Sequence, residues 1–336
     1  MYAGAQPEDI VRFLVEKSVL TLADVLDGGV SVVEAQGRNN PLLIRCGDRT
    51  ILYKAPDAVR PSSRPLLENE AHAIRILERD GSLAGSIPTI ISLDDSAAIR
   101  VYTTASGYQP FAELVVDTRT VVPNGLFDMV RRQGNILRCL HRTWDSAFAR
   151  NLPWVLQMEA PPLAMYPYSN AAAREVISIV QQSDSLSAGL KRARKDWRPS
   201  ALGHGDARWE NWLTNPETGG QIIIDFETFG CMDPRWDIAA YIAEPLRRWA
   251  LSDNPREGEK WVFLAHSMVP QLLQGYNNEP TPLDVETVAY CAAWIIQRVY
   301  ESAQAQSGIS SQSMRALQLA EGIMSDPNSV LHDIFQ

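Results

Sequence analysis

Two carboxylates and a carboxamide stand at spacings that suit a hard metal ion. In Leu202-Gly-His-Gly-Asp-Ala-Arg-Trp-Glu-Asn-Trp-Leu213, Asp206 and Asn211 share one loop directly before an apolar strand, and Asp225 closes the apolar segment Ile222-Ile-Ile after a turn. The three groups converge at one end of a small hairpin. Oxygen ligands of this kind suit Mg²⁺, which takes few protein groups and keeps positions for water and substrate phosphates. Phosphoryl transfer needs little more than such a metal, a cation on the phosphates and a carboxylate aligned on the attacking hydroxyl. The cation candidate is Lys54, at the end of Ile51-Leu-Tyr-Lys54, and the following helix offers Glu70 as its partner. Glu68 competes for that role; Glu70 is preferred because its spacing to Leu77 fits the apolar helix face.

These residues need elements to hold them. Ile10, Phe13, Leu14, Leu20, Leu22 and Val25 recur at helical spacing until Gly28-Gly29 ends the pattern. Three short strands joined by turns follow: Ser31–Gln36, Pro41–Cys46 and Thr50–Lys54, an antiparallel meander. A Pro- and Ser-rich break at 56–65 leads into a helix over 66–79, with Leu67, Ala71, Ile74 and Leu77 on one face. Thr89–Leu93 and Ala98–Thr103 read as two further strands. The first ~100 residues are therefore an antiparallel sheet with one helix against it, an α+β arrangement.

Beyond Thr104 helical periodicity dominates. Helices are expected over 123–144, 171–195 (broken near 183–187), 237–249, 259–274 and 283–304, with strands at 212–214 and 221–225. The last ~10 residues read as a loose tail. The chain is accordingly expected to divide into a sheet-rich unit, 1–103, and a mainly helical one, 104–336, in keeping with about two domains' worth of its 336 residues.

Composition excludes several classes. Lys plus Arg number 31 against 40 Asp plus Glu, a net charge of −9 with no basic block, which disfavours nucleic acid or anionic membrane as a partner. No run approaches ~18 apolar residues, so no membrane-spanning helix is expected. The start of the chain lacks a secretion signal, and the four cysteines show no paired spacing; a soluble, reduced, cytoplasmic protein is expected. The five histidines show no zinc-like spacing, and no GxxxxGK[ST] sequence occurs.

The pattern HGDxxxxN (His204-Gly205-Asp206 to Asn211), then Ile224-Asp225-Phe226-Glu227, then Asp233-Pro234-Arg235-Trp236-Asp237, resembles the aminoglycoside phosphotransferase and choline kinase-like superfamily. Gly134, Leu137, Leu140 and His141 look like that family's helix before the catalytic loop. The resemblance implies a bilobal protein-kinase-like fold and an ATP- and Mg²⁺-dependent phosphotransferase acting on an alcohol. Asp206 would then orient or deprotonate the acceptor hydroxyl, Asn211 and Asp225 would hold Mg²⁺, Lys54 would grip the α and β phosphates, and Glu70 would orient Lys54. Tyr102, Thr103 and Thr104, with Ala105, would form the hinge whose backbone meets adenine. The turn Gly37-Arg38-Asn39-Asn40 would cover the phosphates; it holds one glycine, so Arg38 and the asparagines are candidates for side-chain phosphate contact. Arg208, two residues after Asp206, stands where related enzymes carry His or Lys. It would either stabilise charge on the transferring group or form a structural ion pair.

The acceptor is either a hydroxyl-bearing small molecule, of aminoglycoside or choline type, or Ser/Thr of a ribosomally made precursor peptide. The Gly37–Asn40 turn followed by Tyr53-Lys54 resembles kinase-like proteins of class V lanthipeptide and thioamitide pathways, which implies a separate pathway lyase as partner. Acceptor selection is expected from 152–198 and the C-terminal helices, and Asp253, Glu257 and Glu259 are either receivers of a cationic acceptor or a solvated face. A pseudokinase, a kinase-shaped binding or scaffold module, is the alternative; it would be expected to lack Lys54, Asp206 or Asp225, and all three are present.

Overall fold

The computed structural model describes residues 6–27, 29–34, 41–47, 49–56, 63–94, 98–104, 107–116, 125–143, 145 and 148–335. In chain order these form α1 (Pro7–Glu16), α2 (Leu22–Leu26), β1 (Val30–Glu34), β2 (Leu42–Cys46), β3 (Arg49–Lys54), α3 (Ser63–Asp80), β4 (Thr89–Asp94), β5 (Ile99–Thr104), β6 (Gln109–Pro110) and α4 (Phe111–Val116). Next come α5 (Leu126–Arg142), α6 (Ala171–Gln182), α7 (Asp184–Lys195), β7 (Ala201–Gly203), β8 (Trp212–Thr214), β9 (Gln221–Ile223) and β10 (Gly230–Met232). The chain then runs through α8 (Arg235–Leu251), α9 (Pro255–Asn277), α10 (Val285–Ala303), α11 (Ser311–Ser325) and α12 (Pro327–Phe335). The expected α+β class, an antiparallel sheet followed by a mainly helical part, is the observed one.

The chain forms two compact units, Met1–Pro123 with Glu210–Phe229, and Asn124–Trp209 with Gly230–Gln336. A single division between 103 and 104 does not describe this. The hairpin β8–β9 joins the first unit because β6 pairs with β8, and α3 packs against the helical turn Phe226–Thr228.

In the first unit the five strands run in the order β1-β2-β3-β5-β4, every neighbouring pair antiparallel. Side chains alternate across a strand, and this sorts the functional residues from the core. Ile51 and Tyr53 of β3, with Ile99 and Val101 of β5, face α1, where Ile10, Phe13 and Leu14 form a single apolar stripe. Phe13 meets Tyr53 edge to face at 6.1 Å. Lys54, one residue on, points to the opposite face, toward α3. Its cross-strand neighbour Arg100 is likewise buried on that side and donates from Nε to the carbonyl of Leu67 on α3 at 3.2 Å.

In the second unit α8 is buried on nearly every face and packs against α9, α10 and α11. Helices α5 and α9 cross at Gly134 and Gly275: a Cβ on Gly134 would collide with the carbonyl oxygen of Leu272, and one on Gly275 with that of Arg131. The backbones approach that closely only because neither position carries a side chain.

One expectation needs correction. The end of the chain is not a loose tail: α12 packs on α9, α10 and α11, and Asp326 caps it by accepting from the Ser329 amide at 3.1 Å. Helix α11, unread in the sequence, is capped by Ser310 and buries Ala316, Leu317, Ala320, Ile323 and Met324. The break expected near 183–187 is Ser183, which closes α6 and caps α7 through a bond from the Leu186 amide to its hydroxyl, at 3.2 Å. No helix among the described residues is long and apolar enough to cross a membrane.

Candidate active site

Lys54 lies at the centre of the first unit's polar cluster. Its Nζ is 2.8 Å from Oε1 of Glu70 and 2.6 Å from Oδ1 of Asp225. Lys54 and Glu70 are both buried, while the Asp225 side chain keeps 24 % of its surface exposed. Burial alone would push the Lys54 ammonium down, but the charges of Asp225 and Glu70 outweigh it, and the group is held above its ordinary value. Lys54 is therefore a permanent cation with one exposed face of its counter-ion. Glu68, the competitor for the partner role, instead faces solvent and pairs with Arg64 at 3.2 Å.

Asp225 reaches Lys54 because its backbone is left-handed, at φ 73° and ψ 56°, an uncommon conformation outside glycine that Asp tolerates better than most residues. Two bonds steady the turn that follows it: Asn69 of α3 donates its side-chain amide to the carbonyls of Glu227 and Phe229, at 3.1 and 2.8 Å. Asn211 stands beside Asp225. Its carbonyl accepts from the Ile224 amide at 2.9 Å, and the adjoining Trp212 pairs with Ile223. Asn211 is 4 % exposed. Among the described residues no three His, Cys, Asp or Glu side chains gather as a metal cage. Asn211 and Asp225, brought onto neighbouring backbone by the Ile224–Asn211 bond, nevertheless offer an amide oxygen and a partly exposed carboxylate, the hard, sparse donor types that Mg²⁺ accepts when substrate oxygens complete its shell.

In the second unit Asp206 occupies the loop after β7. Three bonds fix that loop to α8. Asp237, with no exposed surface, accepts the His204 amide at 2.7 Å and the Gly205 amide at 2.8 Å, and the Trp236 indole donates to the Gly205 carbonyl at 3.1 Å. Gly205 sits at φ +84°, where a side chain would strain the turn. The Asp206 amide donates to Nδ1 of the buried His204 at 3.2 Å. Arg208 Nε lies 3.4 Å from Oδ2 of Asp206, so the ion-pair reading of Arg208 has a partner in that carboxylate.

His141, at the end of α5, continues the network: its Nε2 is 2.9 Å from Asp237 and its Nδ1 2.8 Å from the Tyr276 hydroxyl. Burial would raise the Asp237 carboxyl, but the hydrogen bond and charge of His141 and the influence of His204 hold it below its ordinary value. Asp237, in the first turn of α8, thus ties the Asp206 loop and the end of α5 to that helix. Asp233 does serve the start of α8, accepting from the Arg235 amide at 3.1 Å and pairing with its guanidinium at 2.7 Å. The DPxxD spacing marks Asp237 in the sequence, but nothing local reveals that its acceptors turn toward 204–205.

The remaining sequence candidates fall elsewhere. Tyr102 and Thr103 lie in the middle of the sheet, paired with β3 on one side and β4 on the other, so the ladder occupies that stretch of backbone. The Tyr102 hydroxyl is pushed up by burial and by the charge of Glu70. Thr104 ends β5, and Ala105 lies outside the described residues, as do Arg38 and Asn39 with the whole 37–40 turn. A cavity of about 780 Å³ lies between the end of α8 and the start of α9, lined by Trp249, Phe263 and His266 together with Asp253 and Glu259. Asp253 there is tied to Arg315 at 2.6 Å.

With this geometry in place, the comparisons with known proteins are decisive at the level of family. The Phosphotransferase enzyme family (APH) matches residues 36–273. The chain belongs to that family. No curated protein matches this phosphotransferase by sequence. Among solved structures, it is similar to a choline/ethanolamine kinase family protein from Mesorhizobium loti (TM-score 0.58, 18 % identity, covering 94 % of this chain and 96 % of that one). It is also similar to choline kinase LicA from Streptococcus pneumoniae (TM-score 0.54, 17 % identity, 95 % and 98 % covered). A third likeness is to a spectinomycin phosphotransferase in complex with ADP and spectinomycin (TM-score 0.51, 15 % identity, 98 % and 97 % covered). At these identities the likeness establishes the fold, which is that of the kinase-like superfamily the motifs resemble.

Proposed function

We propose that this phosphotransferase moves the γ-phosphoryl group of ATP to the hydroxyl of a small-molecule acceptor. The observation that carries the reading is Lys54, a buried and permanently charged ammonium held between Glu70 and the half-open carboxylate of Asp225. Lys54 binds the α and β phosphates, and Glu70 keeps it pointed at them. Asn211 and Asp225 would hold Mg²⁺, which when bound neutralises charge on the triphosphate. Asp206, on a loop fastened by Asp237, accepts or orients the acceptor's hydroxyl proton, and Arg208 beside it offers positive charge to the transferring group. A nucleotide donor is supported by the ADP in the spectinomycin phosphotransferase, and a small hydroxyl acceptor by the choline, ethanolamine and spectinomycin enzymes of like fold. The precursor-peptide acceptor with a partner lyase rests on the sequence resemblance alone.

The test is incubation with MgATP and a panel of amino alcohols, amino sugars, hydroxy acids and Ser/Thr peptides, read by mass spectrometry. A small molecule gaining one phosphate is the expected product. Phosphate on peptides alone would move the acceptor to the precursor-peptide class. Tight nucleotide binding with transfer to no acceptor would favour the scaffold alternative.

A further inference from the structure

Helix α8 carries a second charged cluster close to the Asp206 loop. Glu244 has no exposed surface, and its Oε2 lies 3.0 Å from Nη2 of Arg247 and 3.3 Å from Nε of Arg248. Burial would raise the Glu244 carboxyl, but Arg247, Arg248 and Arg298 of α10 outweigh it and hold the group ionised. The Arg248 guanidinium also lies over two indole rings, 5.7 Å from the centre of Trp209 and 5.4 Å from that of Trp261, with the two rings 6.4 Å apart. Trp209 is the third residue after Asp206, so this cluster shares a loop with the proposed acceptor-activating carboxylate.

Two indole faces and a buried carboxylate are the usual physical means of holding an organic cation. Here the chain's own guanidinium fills that place. An ammonium could enter only by displacing Arg248 and leaving a buried ionic cluster broken, which is strongly unfavourable. Arg298 also pairs with Glu301 of its own helix, so three guanidiniums face two carboxylates and the cluster keeps one positive charge in excess. Arg247, Arg248 and Arg298 keep 18, 18 and 22 % of their side chains accessible. A planar guanidinium fork matches a carboxylate or a phosphate.

Resting on the phosphotransferase reading, we propose that Arg248 is a built-in cation in the Trp209–Trp261–Glu244 cage, and that Arg247, Arg248 and Arg298 select a hydroxyl acceptor bearing an anionic group. Such an enzyme takes a hydroxy acid or a hydroxylated phosphate ester and refuses choline and amino sugars. The three arginines are specificity residues, and Glu244 positions them.

The test titrates the full chain with glycerate, glycerol 3-phosphate and choline, followed by tryptophan fluorescence, with Trp209→Phe assigning the signal to the cage. At least one anion is expected to saturate the signal and choline to leave it flat; which anion binds tells carboxylate from phosphate. Arg298→Gln and, separately, Arg247→Gln should weaken that binding by about tenfold, and Arg298→Lys should recover part of it. Absence of saturable anion binding, tighter binding of choline, or anion binding indifferent to both Gln variants would overturn the proposal. Phosphate transfer measured alongside separates the two readings. Anion binding at the cluster without transfer to any acceptor refutes the phosphotransferase reading and leaves the anion site standing. Transfer to choline without anion binding does the reverse.

Discussion

Lys54 makes two contacts of different consequence. Its bond to Glu70 is wholly buried, whereas its bond to Asp225 ends on a carboxylate that still reaches solvent. Lys54→Met therefore removes the phosphate cation and strands Glu70. The expected outcome is a fall in transfer of about 10²–10³-fold together with a stability loss of about 3–5 kcal/mol, read by steady-state kinetics and by urea denaturation. Adding Glu70→Gln to Lys54→Met should return much of the stability and none of the activity. If the double variant remains as unstable as the single one, the buried pair is not the source of the loss. This pair was legible in sequence because β3 alternates: a lysine ending an apolar strand points away from the face of Tyr53, and α3 offers Glu70 on its inward side. Asp206, Asn211 and Asp225 were legible as a motif. The partners of Asp237, the amides of His204 and Gly205 and the ring of His141, were not, because tertiary packing fixes them.

Among the elements, the crossing of α5 and α9 carries the least tolerance. Gly275 faces the carbonyl of Arg131, and Gly134 that of Leu272, at separations no side chain fits. Gly275→Ala should lower stability by about 1–3 kcal/mol through overpacking, visible as a lower melting temperature. An unchanged melting temperature would mean the helices part at no cost. Since the last turn of α5 carries His141, which contacts Asp237, the same variant should also slow transfer more than it weakens nucleotide binding. The strands of the meander and the helices at α3, α5, α8, α9 and α10 were readable from their 2.0 and 3.6 periodicities. Helix α12 was not, because a short terminal segment gains its order from contact with α9, α10 and α11 rather than from its own pattern. The assignment of β8–β9 to the first unit was equally hidden, since it depends on the two-residue pairing with β6.

At the scale of the molecule, stability should depend on acid in a defined direction. Asp237 and Glu244 are both buried and both held below their ordinary values of 3.8 and 4.5. Each then binds its proton more readily in the unfolded chain, so their contribution is complete above those values and is lost as pH falls through the lower native ones. Denaturation midpoints should be level from pH 7 to about 5 and fall below it, and Glu244→Gln should flatten part of that fall. A variant with the same acid slope as the parent would remove Glu244 from the account. The arginines gathered around Glu244 could not be seen in the net charge of −9, because α8 and α10 meet only in three dimensions. The most direct test of the whole is a single-turnover comparison of the parent and Asp206→Asn at saturating MgATP, with nucleotide affinity measured in parallel. The account predicts affinity within about twofold and phosphoryl transfer slowed by about 10²–10⁴-fold. Equal transfer rates in the two proteins would contradict it.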